Sequence, residues 1–407
     1  MAGPRVAYIL LWFPERSQTF ILDEVNTLAR LGLDLSVYTL YGPSPRPVTG
    51  MAPVAAPVHR LGLSSLKGIL QENFLLTKNW GASARPFLRR VLVRKWRSPE
   101  TGAEALWAAL AGVHLARRFL ADGMDHIHAP WANGPATGAW VASQLSGIPF
   151  SFCAHAHDLY PPDGALADKL KAAAFVRAVS AENVDFLAAL VPAAAAKIVK
   201  IYYGAPLTGA SRKPRPFQHP CRLLALGRLV PKKGFGILLE SCRLLAQQGV
   251  DFHLTLAGDG PELKTLQEMI RRFGLESRVS LPGFVPHNQV PRLLQEADLF
   301  LMPSVILPHG DRDGLPNVIL EAMGHGVPVI ATPVNGIPEA IYPGETGWLV
   351  PPGDPVALAR AVREALAHPE EAQRRALKGR ELVGREFDSR KNYGRLKVCL
   401  EGAVRQV

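Results

Sequence analysis

Residues 222–234, Arg-Leu-Leu-Ala-Leu-Gly-Arg-Leu-Val-Pro-Lys-Lys-Gly, decide how this chain is built. An apolar run of strand length ends at a glycine. A short basic turn follows, and then residues 234–248, whose apolar positions recur at helical spacing. Strand, glycine turn and helix are the opening of a βαβ unit. The same alternation continues downstream. Strands are predicted at 252–257, 279–281, 299–302, 328–331 and 347–350, with helices between them, as at 261–273 and 316–325.

The pattern also runs upstream. Residues 6–12 read as a buried strand and 20–31 as a helix closed by Gly32, with Ser17 or Thr19 predicted as its N-cap. Residues 35–40, 126–128, 149–154, 176–179 and 198–201 are further strand candidates, and 43–57 reads as a loop. The alanine run 193–196 suits one turn of helix, and 389–404 suits a last helix. Between the two series, residues 207–220 are rich in proline, glycine and basic residues and poor in core formers, so they are the predicted linker. The expectation is α/β, with parallel sheets in two domains, 1–206 and 207–387. The C-terminal helix, 388–407, is expected to pack back on the first.

Bulk composition agrees. A chain of 407 residues, 48% hydrophobic and 20% charged, is long enough for two cores and is neither disordered nor fibrous. Cys153, Cys221, Cys242 and Cys399 are scattered without a CxxC or a metal-ligand spacing, which predicts reduced thiols in a cytoplasmic protein and no metal site. No apolar run is long enough to span a bilayer. Arg5 precedes a short apolar run, but Pro14-Glu15-Arg16 follows it where a signal peptide needs small residues, so the run reads as a strand.

The net charge of +11 is concentrated. Between Asp34 and Glu100 ten Lys and Arg residues face one acid, Glu72. In residues 85–97, Leu88, Val91, Leu92 and Trp96 recur at helical spacing among Arg85, Arg89, Arg90, Arg94, Lys95 and Arg97. Such a segment suits either an anionic membrane surface, hence peripheral attachment at the cytoplasmic membrane, or a helix packed on its own domain with a solvated basic face. Nucleic acid is not expected, because no recognised interleaving of aromatic and basic residues occurs.

Three motifs sit where strands end, and those ends line the ligand crevice of an open parallel sheet. In residues 227–234, glycines allow a phosphate to approach, Arg228 can fork onto a diphosphate and Lys233 adds a point charge. Residues 257–262, Ala-Gly-Asp-Gly-Pro-Glu, read as a tight turn into a helix. In residues 311–323, Asp313 is placed just before a helix with Pro316 as its first residue, and Glu321 in its second turn, flanked by core positions. Carboxylates there suit sugar and ribose hydroxyls, and free helix N–H groups suit phosphate.

These motifs, with "LPGFVPH", "DGLPNVILEAMGHGVPVIAT" and "GETGWLVPPGD" in order between 223 and 354, resemble the retaining glycosyltransferases of family four. The resemblance implies the GT-B fold, two Rossmann-like domains facing an interdomain cleft. It implies that Arg228 and Lys233 hold the donor diphosphate. Asp313, where the family usually has Glu, would contact the transferred sugar, and Glu321 the ribose. Gly314, Leu315 and Pro316 would lie along the donor, and Phe284 and Val285 would cradle the base. The donor would be a UDP- or GDP-sugar, with no metal and no cofactor. In the first half, "FPERSQTFILDEV", "HIHAPWANGPAT" and "SFCAHAHDLY" resemble the subgroup that builds colanic acid, amylovoran and similar exopolysaccharides. This implies that His155 acts beside the anomeric centre. Ser17, Thr19, His128, Asn133 and Asp158 would lie toward a saccharide or polyprenyl-linked acceptor, and His157 would be a packing or supporting residue. A sugar-nucleotide 2-epimerase is the alternative on the same fold. A NAD-dependent dehydrogenase is disfavoured because the turn 13–19 has no glycine.

Overall fold

The computed structural model describes residues 3–44, 50–160, 162–205 and 216–404. The chain forms two compact units, Met1–Tyr203 with Ser389–Val407, and Gly204–Asp388. The predicted boundary at 206/207 and linker residues 207–215 lie outside the described residues.

The first unit is built on seven strands: β1 (Arg5–Leu10), β2 (Asp34–Thr39), β3 (Val58–Arg60), β4 (His126–Ala129), β5 (Phe150–Ala154), β6 (Phe175–Ala178) and β7 (Ile198–Lys200). Their order is β3-β2-β1-β4-β5-β6-β7, parallel throughout. β4 and β5 are buried along their whole length, as strands covered on both faces must be. β3 was not predicted; its three residues are half-buried or exposed, so it carries no apolar signature.

Helix α1 (Thr19–Arg30) turns Ile21, Leu22, Val25 and Leu28 inward. Its N-cap is Gln18, not Ser17 or Thr19, and no side chain caps it. The C-terminal helix Ser389–Val404 lies against α1 and places Tyr393, Leu396 and Leu400 in the same core as Val6, Tyr8 and Val25. Along the other side run α2 (Leu66–Phe74), α3 (Leu76–Trp80), α4 (Ala84–Leu92) and the long α5 (Pro99–Ala121).

The predicted amphipathic segment 85–97 is shorter than expected. α4 stops at Leu92, where Arg94 folds back to donate to the carbonyls of Arg90 and Val91 and pairs with Asp168 at 2.9 Å. Phe87 and Val91 are core residues, and Leu88, Leu92 and Trp96 pack against them. The apolar face of this segment is therefore spent inside its own domain. Among the described residues no helix is long and apolar enough to cross a membrane.

The second unit holds β8 (Cys221–Leu226), β9 (Phe252–Ala257), β10 (Val279–Ser280), β11 (Leu299–Met302), β12 (Val329–Ala331) and β13 (Trp348–Leu349), in the parallel order β10-β9-β8-β11-β12-β13. β8 and β9 pair from Cys221↔Phe252 to Leu226↔Ala257. In each sheet the order reverses beside the first strand, between β1 and β4 and between β8 and β11. Ligands of open α/β sheets bind outside the carboxyl ends of the strands at that point.

Two glycines set how closely the loops there approach. Gly234 has φ 69°, and a Cβ on it would lie 1.9 Å from the Pro303 carbonyl oxygen. Gly258 has φ 149°, and a Cβ would lie 1.8 Å from that of Gly227. Neither position admits another residue without moving a neighbouring backbone.

Candidate functional site

In the second unit the loops after β8, β9, β10 and β11 are joined by backbone bonds. Gly227 N–H donates to Ala257 O at 3.0 Å, Leu229 N–H to Asp259 O at 2.8 Å, Gly258 N–H to Gly283 O at 2.8 Å, and Val305 N–H to Lys232 O at 2.8 Å. The 257–262 turn thus serves as backbone scaffolding. Phe284 and Val285 follow Gly283 and are half-buried.

The charged groups are paired across this frame. Lys233 Nζ lies 2.9 Å from Asp313 Oδ2, with both side chains about nine-tenths buried. Ser304 Oγ donates to the same oxygen at 2.6 Å. Lys232 Nζ, also buried, pairs with Asp311 Oδ1 at 2.8 Å. Asp311 and Asp313 therefore face one lysine each, an arrangement that holds the loop after β11 onto the loop after β8. Among the described residues no group of three or more His, Cys, Asp or Glu could hold a metal ion.

Arg228 stands exposed on the first loop. Helix Asn317–Gly324 begins one residue later than expected: Pro316 is its N-cap, with an extended ψ of 123°. Gly314, Leu315 and Pro316 are half-buried on the approach to it. Glu321 is flanked by buried Leu320 and Ala322 as the sequence suggested. Burial raises its carboxyl above the usual range, against the pull of His287 and His325.

In the first unit, the carboxyl ends of β1, β4, β5 and β7 lead to a second cluster. His155 follows β5 and is the N-cap of the short helix Ala156–Leu159. Its Nδ1 meets Asp158 Oδ2 at 3.2 Å and its Nε2 meets Tyr203 Oη at 2.9 Å. The buried Asp158 carboxylate also accepts from the backbone N–H of Ala132 at 3.1 Å. Trp131 lies over the imidazole at 4.3 Å between ring centres, and its Nε1 donates to Gln18 Oε1 at 3.2 Å. Asn133 borders the cluster through Ala132, and its Oδ1 is buried without a hydrogen-bond partner.

The structure departs from the expectation at His128. His128 does not line a surface: it is wholly buried, its Nδ1 shares Ser151 Oγ with His126, and burial pushes both imidazoles down, His126 to about 3. Both are thus neutral core residues. His157 is exposed. In the turn before α1, Ser17 is exposed and Thr19 half-buried, and it is Gln18 that reaches the His155 cluster. Sequence reading missed Gln18, Trp131, Tyr203, Lys232 and Ser304. For Lys232 the signal was present, as the first of two adjacent lysines. The others are joined to the site only by folding.

His155 differs from the two core histidines. Burial alone would lower its pKa; Cys153 and the hydrogen bond with Asp158 outweigh this and raise it to about 10. The folded value lies above the reference of about 6.5. The stabilisation from protonated His155 is therefore full below about pH 6.5 and fades as pH rises through the folded pKa. By NMR the imidazole is expected to stay protonated through neutral pH, and Asp158→Asn to lower its titration midpoint. A midpoint near 6.5 in the folded protein contradicts the arrangement.

With this geometry in view, the chain can be set beside known proteins. Residues 220–368 match the family model of glycosyl transferases group 1. The amylovoran biosynthesis glycosyltransferase AmsK of Erwinia amylovora is 39% identical over 182 residues, 45% of each chain. WcaL of Escherichia coli K12, provisionally named a colanic acid biosynthesis glycosyltransferase, is 41% identical over 150 residues, 36% of this chain and 37% of that protein. The chain thus spans less than half the length of these curated relatives. Solved structures match almost end to end. Sucrose-phosphate synthase of Thermosynechococcus elongatus has a TM-score of 0.74 at 19% identity, covering 99% of this chain and 100% of its own. Anabaena HepE in complex with UDP and glucose has a TM-score of 0.68 at 19% identity, covering 98% and 99%. The fold is that of these enzymes, GT-B, with two Rossmann-like domains.

Proposed function

We propose that the protein is a retaining glycosyltransferase that moves a sugar from a nucleoside diphosphate to a saccharide or lipid-linked saccharide acceptor in exopolysaccharide or other cell-surface glycan synthesis. The observation that carries this reading is the Lys233–Asp313 pair at the switch point of the second sheet, with Arg228 exposed beside it. A diphosphate arriving there would meet the Arg228 guanidinium and the ammonium of Lys233, and the N-terminus of helix Asn317–Gly324 adds free N–H groups. As the sugar–phosphate bond breaks, negative charge grows on the leaving diphosphate, and fixed cations in a dry site stabilise it. No step in this reading calls for a metal or a cofactor. Asp313 would then meet the transferred sugar and Glu321 the ribose, with Gly314, Leu315, Pro316, Phe284 and Val285 shaping the pocket. In the first unit, His155, held as an imidazolium, would offer positive charge to a substrate bound there, and Asn133 Oδ1 an acceptor for a substrate hydroxyl.

The reading is tested first by binding. Arg228→Ala is expected to weaken the affinity for free nucleoside diphosphate by about 10- to 100-fold, the worth of one hydrogen-bonded charge contact. Unchanged affinity in calorimetry would remove Arg228 from the site. Thermal-shift screening of UDP- and GDP-sugars identifies the donor, since a ligand of the folded state raises its apparent stability. Incubation with donor alone separates transferase from 2-epimerase: only an epimerase converts it.

A further inference from the structure

Helix α2 carries an apolar face that its domain leaves uncovered. Leu66, Leu70 and Phe74 recur every fourth residue and are 37%, 58% and 83% exposed. Glu72, on the opposite side of the helix, and Ile69, on the flank of the stripe, are the ones buried. A surface helix ordinarily turns such a stripe toward the core. Here the core-facing side is already occupied, and the stripe looks outward.

The stripe lies within the most basic part of the chain. α2, α3 and α4 follow one another, with α2 and α4 packed on α5. Lys67 on α2, Lys78 on α3, Arg85, Arg89 and Arg90 on α4, and Arg97 beyond it are all exposed and make no ion pair among the described residues. Glu72, the acid that could offset them, is buried and paired with Arg117 at 2.6 Å. Val93, 72% exposed at the end of α4, sits among these cations. Apolar side chains that can enter an acyl boundary, with exposed cations on the same helix and on the two that follow it, are the two signals that hold a protein on an acidic lipid surface.

We propose that α2, α3 and α4 dock the protein on an anionic phospholipid bilayer, with Leu70 and Phe74 entering the interface and the basic residues meeting the headgroups. The inserting face is thus on α2, and the apolar side of segment 85–97 takes no part. A second copy of the chain is a poorer occupant, because a symmetric contact would bring like cations together.

The test is co-sedimentation of the full chain with vesicles of equal parts phosphatidylglycerol and phosphatidylcholine, and with vesicles of phosphatidylcholine alone. Binding is expected only to the first. It should fall as salt rises, since screening shortens from about 10 Å at 0.1 M to about 3 Å at 1 M ionic strength. The double variant Leu70→Ser/Phe74→Ser should bind about ten-fold more weakly, with circular dichroism and thermal midpoint unchanged because both side chains are already in solvent. Arg85→Gln/Arg89→Gln should weaken binding mainly at low salt. Any of three results overturns the proposal: no sedimentation with the anionic vesicles, equal binding by Leu70→Ser/Phe74→Ser, or a concentration-dependent dimer abolished by that variant without vesicle affinity.

Discussion

Lys233→Ala is expected to lower kcat by about 10²- to 10³-fold, the usual effect of removing one fixed group that stabilises charge in a transition state. The reason is where the ammonium sits. It is nearly buried, 2.9 Å from Asp313, on a turn whose next residue, Gly234, cannot be replaced without displacing Pro303. Its position is thus set before substrate arrives, and a preorganised charge of this kind needs no rearrangement during the reaction. Donor affinity should change less than kcat, because the leaving diphosphate gains charge only as the bond breaks. The variant also leaves Asp313 buried with Ser304 as its remaining partner, so Lys233→Arg should recover more activity than Lys233→Ala. Steady-state kinetics with the donor identified by thermal shift decides it. A kcat for Lys233→Ala within about two-fold of the parent would reject the role.

The second large effect is on stability. Arg177→Ala should cost about 3–5 kcal/mol, the range for breaking a buried ion pair from one side. Arg177 is fully buried in the first unit, where Nη1 pairs with Glu24 Oε2. Its Nε donates to Ile201 O at 2.8 Å and Nη2 to Tyr202 O at 2.9 Å. Its guanidinium lies 4.2 Å from the ring centre of Tyr203 and 5.9 Å from that of Tyr393. One side chain therefore links β6, the segment after β7, α1 and the C-terminal helix. Its removal strands the Glu24 carboxylate, which burial already raises above its usual range. The loss should appear as a lower urea midpoint. Glu24→Leu/Arg177→Met should lose less than Arg177→Ala, since the double variant leaves no charge unpaired. If Arg177→Ala costs under about 1 kcal/mol, the pair is not the tie described. Because Arg177 also supports the ring of Tyr203, the variant should disturb the Tyr203–His155 bond as well.

Local order in the chain was enough for the architecture. Alternating strand and helix signals, with glycine and proline between them, placed β8, β9 and β11 and the helices 235–247 and 389–404 within a residue or two. The motif residues of the second half could be located for a related reason: in a parallel sheet every strand's carboxyl end falls at the same edge, so Arg228, Lys233 and Asp313 could be assigned to sheet edges from strand positions, whereas His155 was singled out by the family resemblance.

Pairing and exposure were decided only by folding. Asp313 and Lys233 are eighty residues apart in sequence, and the 2.9 Å contact exists because the order reversal sets β11 beside β8. His126, His128 and His155 carry the same side chain near strand ends. Burial without a charge partner keeps the first two neutral, and Asp158 and Cys153 hold the third protonated. The helical spacings in 66–74 and 85–97 are alike in kind, yet one stripe is covered and the other open. Periodicity says that a helix has an apolar face, whereas the area offered by neighbouring elements determines whether that face is buried.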